Sequence, residues 1–409
     1  MIETLLILTC ILSYVFVVYL KLRELRKLSK KPSETYLNLA SIEQIEKTRE
    51  YNRDKQIMSI FELSVLLLKD IYFIWKRVMP EMYSRYMIDK WYWDILFVIG
   101  YMHVQKMFEV PFELVSTFYV EAKHGFNKTT VIEFFKDIVK MMVVMSVIVG
   151  PFSYVVLEII RRYYERSFYI YLWVVVAAFQ IVLVVAYPIV IQPLFNKFEE
   201  MKDSELKTKI TKLADRVGFR ANKILVMDAS LRSGHSNAYF VGIMKEKRVV
   251  IYDTLLSQVD EEEILAILCH EFGHWKHGHT LKMISFGLLV QLLYLYLLNA
   301  LLRYQDKYGM LGIEMPLMIR CLYFLMCISA MSVPIDILGN CVSRYFERQA
   351  DRFAVALGYG KELRSGLLKL YEKNNGNMDP DHLYAAVVYR HPTVIERIRL
   401  IDGEMNKSK

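Results

Sequence analysis

The sequence predicts an all-α multi-pass membrane protein, with about seven transmembrane helices around an internal chamber and a small α+β domain. Three observations carry this. Hydrophobic residues make up 54% of the 409 positions and aromatics 13%, and the mean hydropathy is positive at +0.23. Apolar runs of about 18 or more residues, each long enough to cross hydrocarbon as a helix, recur along the chain. One stretch between the fifth and sixth runs reads like soluble structure, with short β-rich runs followed by an acidic helix start.

The first run, Ile2–Leu20, has no basic region before it and no small-residue cleavage site after it, so it reads as a retained span rather than a signal peptide. Val139–Ile160, Phe168–Ile191 and Leu281–Leu302 are equally clear. Ile57–Trp75 carries Lys69 and Asp70, and Trp91–Val115 carries Asp94, His103, Lys106 and Glu109. Pro316–Val342 carries Arg320 and Asp336. Ionisable groups at bilayer depth are costly unless they face a bundle interior or water, and their presence in several spans predicts a hydrated chamber.

The net charge of +8 does not point to nucleic acid. Lys and Arg sit beside apolar runs rather than in one stripe, and no nucleic-acid module is visible. They act instead on orientation. Lys21, Arg23, Arg26, Lys27, Lys30 and Lys31 follow the first span, which places that segment in the cytosol and the N-terminus on the far side. Counting spans from there puts 195–280 and 343–409 on the cytosolic side. Lys76, Arg77, Arg161 and Arg162 then fall on the far side, against the rule, and the sequons at Asn127 and Asn406 face the cytosol unused. Cys10, Cys269, Cys321, Cys327 and Cys341 have no paired spacing, which excludes a disulfide framework or a Cys-type zinc site.

The soluble stretch opens with a helical pattern over Ser204–Val217, followed by β-rich runs at Lys223–Met227, Ala238–Ile243 and Arg248–Tyr252. Asp260-Glu261-Glu262-Glu263 then supplies the negative charge that suits a helix N-terminus. The predicted organisation is therefore residues 1–193 as the first five spans with their loops and 194–280 as a cytosolic insert ending in this helix. The last two spans occupy 281–342, and 343–409 complete the insert.

That helix runs into His270-Glu271-Phe272-Gly273-His274, an HExxH string. Residues i and i+4 share a helical face, so His270 and His274 can hold one zinc ion, while Glu271 is free to take a proton from an attacking water. HExxH alone is only suggestive. A third ligand raises it: Glu347 and Asp351 lie four apart on a second predicted helix. Glu347 completes a His2Glu set with the fourth position left for water, and Asp351 is placed to accept the second ring N–H of a ligating histidine. The alternative for these two is a solvated face paired with Arg348 and Arg352. His277 and His279 read as polar surface near a membrane boundary, because the ligand set is complete without them.

Taken together, the motifs resemble the type I CaaX prenyl proteases, multi-span zinc endopeptidases of the endoplasmic reticulum and inner nuclear membrane. His270–Thr280 resembles that family's zinc helix, Ser343–Asp351 its third-ligand helix, and Arg232–Phe240 its edge strand. Glu121–Thr130, Pro193–Phe198 and His391–Arg397 match in place and order. The resemblance implies a ring of seven helices enclosing a large chamber and capped on the cytosolic side by the protease domain. It implies one Zn2+ per chain and, as substrate, a protein with a prenylated C-terminal cysteine, from which the last three residues are removed. It also implies that Asn237 and Ala238 pair with the extended substrate, and that His391 and Arg397 act near the scissile bond as catalytic residues. Residues alone leave two other readings open: a quality-control metalloprotease acting on damaged membrane proteins, and a transporter or scaffold with a structural zinc.

Overall fold

The computed structural model describes residues 2–86, 92–219, 223–241, 248–308 and 315–407. Helix α1 (Ile2–Leu28) leads through a single turn, α2 (Glu34–Leu37), into the long α3 (Ile42–Trp75) and the short α4 (Val78–Tyr86). Then come α5 (Trp93–Val115), α6 (Val131–Tyr163) and α7 (Phe168–Ala186). Beyond the sheet region, α11 (His279–Tyr308), α12 (Leu317–Met331) and α13 (Val333–Ala356) complete the set of long helices.

The order of packing closes a ring. Helix α1 packs on α3, α3 on α5, α5 on α6, α6 on α7, α7 on α11 and α11 on α12, and α12 returns to α1. Seven helices thus enclose an interior, as expected. Among the described residues, four helical stretches are long and apolar enough to cross a bilayer by composition: Glu3–Leu28, Val131–Tyr163, Phe168–Leu194 and His279–Tyr304. In the most apolar of them, Phe168–Leu194, only 6% of the apolar stretch is buried in protein, so its surface is left to lipid. Helices α3 and α5 take their places in the ring although they carry charge. Between α1, α3, α5 and α12 lies a cavity of about 410 Å3 whose lining includes Gln105 beside Lys69, Asp70 and Glu109, three of the groups that predicted a chamber.

The run 316–342 is not one straight span. It breaks at Ser332, and α12 and α13 meet at 55°. Pro334 sits in the first turn of α13, where its missing N–H leaves no intrahelical bond unmade. Below this bend α13 continues out of the ring as the helix that carries Glu347 and Asp351.

Outside the ring, α8 (Glu205–Val217) is capped by the Ser204 side chain, which accepts from the backbone N–H of Lys207, and ends at Gly218 with φ +82. Strands β1 (Phe198–Glu200), β2 (Lys223–Met227), β3 (Ala238–Val241) and β4 (Arg248–Tyr252) form one sheet in the order β1-β2-β4-β3. β2 and β4 run parallel; the other two pairings are antiparallel. Sequence reading located β2 and β4 and the start of β3, while residues 242 and 243 of that run lie outside the described residues. The core under the sheet joins Ile210, Phe219, Val249, Ile251, Leu268 and Phe272. It also takes in Tyr36 and Ile45, so the segment after the first span packs into this domain rather than into the ring alone.

Candidate metal centre and active site

Helix α9 (Asp253–Gln258) precedes α10 (Glu261–Lys276), the zinc helix of the sequence reading. Its start is fixed by a capping box: the backbone N–H of Asp260 donates to Glu263 Oε2 at 2.9 Å. Helix α14 (Gly360–Lys373) holds the same carboxylate through Ser365 Oγ (2.6 Å) and Lys369 Nζ (2.9 Å). The end of α10 is equally defined. Gly278, at φ +66, turns the chain directly into α11.

Helix α13 crosses α10 at Gly273. A Cβ added there would meet Ala350 Cα at 3.0 Å and Phe353 Cβ at 3.2 Å, a crowding that glycine avoids. The crossing brings Glu347 to the two histidines. His270 Nε2 and His274 Nε2 lie 3.2 Å apart. Glu347 Oε2 is 3.3 Å from the first and Oε1 is 3.2 Å from the second. These are the ligand atoms of the one cluster of metal-ligating side chains found among the described residues.

The cluster fits a metal ion. Zinc bonds of about 2.0–2.1 Å in a tetrahedron set neighbouring ligand atoms about 3.3 Å apart, close to the spacing of the two imidazole nitrogens and of each nitrogen from one Glu347 oxygen. Glu347 is 4% exposed, and its Oε2 is buried with no hydrogen-bond donor aligned on it, although His391 Nδ1 stands 3.0 Å away. A buried carboxylate oxygen beside two facing imidazole nitrogens is costly unless a cation sits among them.

Asp351 is fully buried, and its Oδ1 lies 2.9 Å from His270 Nδ1. With the proton on Nδ1, His270 offers its Nε2 lone pair to the cluster. Helix α16 (Val394–Lys407), preceded by α15 (His382–Val388), supplies Arg397. Its Nε and Nη2 donate to Asp351 Oδ2 and Oδ1 at 2.9 and 2.6 Å, a bidentate pair. Its Nη1 remains 3.9 Å from Glu347 Oε2. Thus Arg397 stands behind Asp351 as well as on the cavity wall.

Glu271, His391, Arg397 and Asn237 line the same cavity of about 650 Å3 as the three ligand residues. Burial pushes the Glu271 carboxyl up from its ordinary value, against the pull of His270 and His274. Just before β3, Asn237 O accepts from the backbone N–H of Tyr252, so that pair faces β4. The antiparallel alternation then turns the backbone groups of Ala238 and Phe240 to the free edge, on the cleft side. Asn237 Oδ1 accepts from the Ala238 N–H at 2.9 Å and covers it. Of the site residues read from the sequence, seven line this cavity, while Asp351 stands behind His270 and Ala238 follows Asn237.

His277 is outside the ligand cluster, as expected. His279, read as polar surface, is buried at 3% exposure instead. Its Nδ1 is 3.0 Å from His274 Nδ1, and its Nε2 is 3.0 Å from Gln349 Oε1. Sequence reading passed over Gln349 because it lies two residues from Glu347, off the face that Glu347 shares with Asp351. Gly273 was legible only as a variable position of HExxH. Cys269, next to the first ligand, is fully buried and burial pushes its thiol up to about 12, so it packs as a small hydrophobe. Cys341, by contrast, is exposed.

Comparison with known proteins agrees with this geometry. A family model described as "CAAX prenyl protease N-terminal, five membrane helices" matches residues 21–197, and "Peptidase family M48" matches residues 200–405. The chain is 36% identical to CAAX prenyl protease 1 homolog of Arabidopsis thaliana, over 97% of both chains. It is 32% identical to CAAX prenyl protease 1 of Saccharomyces cerevisiae, over 98% of this chain and 95% of that one. The crystal structure of S. mikatae Ste24p superposes with a TM-score of 0.92 at 32% identity, covering 98% of this chain and 99% of that one. Likeness of this depth, end to end in sequence and backbone, means that the chain belongs to the CAAX prenyl protease family of M48 membrane metallopeptidases.

Proposed function

We propose that the protein is a zinc endopeptidase of the endoplasmic reticulum membrane that removes the last three residues from prenylated CaaX proteins, working from the cytosolic face. The observation that carries the zinc reading is the ligand cluster: two imidazole nitrogens 3.2 Å apart, each 3.2–3.3 Å from one oxygen of the Glu347 carboxylate. His270, His274 and Glu347 hold the ion and leave its fourth position to water. Bound there, zinc supplies Lewis acidity and lowers the pKa of a coordinated water toward ~7.

The remaining roles belong to the chain. Asp351, held by Arg397, keeps the His270 proton on Nδ1. Ala238 and Phe240 pair with the substrate as an added strand, with Asn237 at its start. The substrate bond is the amide between the prenylated cysteine and the next residue. Water adds to its carbonyl carbon while Glu271 takes the water's proton on a carboxylate oxygen. His391, with 61% of its side chain exposed, is free to donate to the oxyanion that develops, and Arg397 Nη1 faces the same space. The C–N bond then breaks as Glu271 returns the proton to the leaving amine, giving a prenylcysteine carboxylate and a tripeptide. The working division is 1–193 as the first five spans with their cytosolic loops and 281–342 as the last two spans, with 194–280 and 343–409 forming the protease domain.

Matched farnesylated and unprenylated CaaX peptides, given to purified protein of known metal content, test this reading. Cleavage before the last three residues, faster on the farnesylated peptide, is the expected result. Equal cutting of both peptides would point to a quality-control protease, and no cutting by metal-loaded protein would revive a structural site.

A further inference from the structure

We propose that His279 and Gln349 are positioning residues for His274, fixing its tautomer and ring orientation through a neutral hydrogen-bond relay. The proposal rests on the reading of His270, His274 and Glu347 as zinc ligands. His274 Nε2 faces His270 Nε2 and Glu347 Oε1, both at 3.2 Å, and as a ligand atom it carries no proton. The ring proton of neutral His274 is therefore on Nδ1. That nitrogen stands 3.0 Å from His279 Nδ1, a separation that two ring nitrogens adopt only with one proton between them. His279 Nδ1 accepts, which leaves the His279 proton on Nε2. At 3.0 Å from Nε2 is Gln349 Oε1, an acceptor, and Gln349 Nε2 donates onward to the Tyr345 hydroxyl at 3.2 Å.

With Gln349 Oε1 facing His279 and Nε2 facing Tyr345, one proton assignment satisfies every member of this chain. Reversing the Gln349 amide would turn its N–H toward His279 Nε2 and force the His279 proton onto Nδ1. His274 would then carry its own proton on Nε2, where the metal binds. The relay thus selects the ligating tautomer of His274 much as Asp351 selects that of His270, but without charge.

The surroundings hold the relay in place. His279 stacks on Phe346 with ring centroids 4.2 Å apart and planes 8° from parallel. Phe346 and Gln349 are neighbours of Glu347 on α13, so the helix that supplies the third ligand also backs the second. His279 is the first residue of α11, set behind the ligand by the left-handed turn at Gly278.

Zinc affinity of the full-length protein, measured by competition with a chromophoric chelator, tests the proposal. His279→Leu and Gln349→Leu are expected to weaken Zn2+ binding by about 10–100-fold. The metal-free melting temperature of Gln349→Leu should not change, since that side chain is only half-buried. Gln349→Glu keeps an acceptor oxygen at the same reach and should restore affinity, while the unchanged metal-free melting temperature of Gln349→Leu separates the relay from packing. Should His279→Leu fail to fold, the two Gln349 variants carry the comparison. Wild-type affinity in Gln349→Leu, or a Gln349→Glu as weak as Gln349→Leu, would overturn the relay. A wild-type protein that binds no zinc would instead overturn the ligand assignment beneath it.

Discussion

Glu271 shares a helix with two of the three ligand residues yet stands outside the ligand cluster, on the wall of the substrate cavity. A carboxyl raised by burial is a better proton acceptor than an ordinary glutamate, and it must be ionised to act. Glu271→Gln is therefore expected to keep one zinc per chain while turnover falls by about 10²–10⁴-fold. Retained turnover would sink the assignment. The raised pKa also fixes the sign of the pH dependence. Activity rises with pH as Glu271 loses its proton, and the acid limb lies above the ~4.3 of an unperturbed glutamate. The limb should vanish from the residual rate of Glu271→Gln, with metal content assayed at each pH to separate it from zinc loss. Arg397 makes a different demand. Replacing it by Leu strands the fully buried Asp351 charge, at a cost of about 3–5 kcal/mol. Both the melting temperature and zinc affinity should drop, and loss of zinc affinity alone would show that Asp351 finds another partner.

Between elements, the site depends on how closely α10 and α13 cross. Gly273→Ala puts a Cβ 3.0 Å from Ala350 Cα, backbone that can yield only by parting the helices. Over-packing of this kind costs typically about 1–3 kcal/mol, and here the parting also moves Glu347 from the histidines. Gly287→Ala on α11 is the control, because nothing lies within 4 Å of its added Cβ. The two alanines should act in opposite directions: Gly273→Ala loses stability and zinc affinity, while Gly287→Ala leaves affinity alone and gains up to about 1 kcal/mol of helix stability. Equal zinc affinity in both would mean that the crossing is not what assembles the ligands. The sequence showed which helices carry ligands, because the i, i+4 spacing of histidines and carboxylates is local. It did not show the crossing, since a close approach is a property of two faces and Gly273 fills a position that HExxH leaves open. The strands divide in the same way. β2 and β4 were legible from their aliphatic and β-branched residues, whereas β1, Phe198-Glu199-Glu200, is a strand only because β2 pairs with it.

At the scale of the whole molecule, the four most apolar spans were legible from hydropathy, but closure of the ring was not, because neighbour order is set by non-local packing. Nor was the capture of Tyr36 and Ile45 by the protease core visible, since both sit in a segment that reads as a charged loop. The chamber was legible through its charges, and it makes a prediction of its own. Lys69 pairs with Asp70 at 2.9 Å and hydrogen-bonds to Gln105, beside a cavity that Ser13 and Ser329 also line. Polar groups facing one another in the ring are stable there if water joins them, and water brings soluble reagents with it. In a background lacking all five native cysteines, Ser329→Cys should react with a small membrane-impermeant thiol reagent. Leu289→Cys, at a position 65% exposed on a bilayer-crossing helix, should react far more slowly because lipid rather than water meets it. A prenylated peptide that occupies the chamber should slow the first reaction and leave the second unchanged. Equal, slow labelling at both positions would mean that the ring is dry, and the charges of α3 and α5 would then need partners from each other alone.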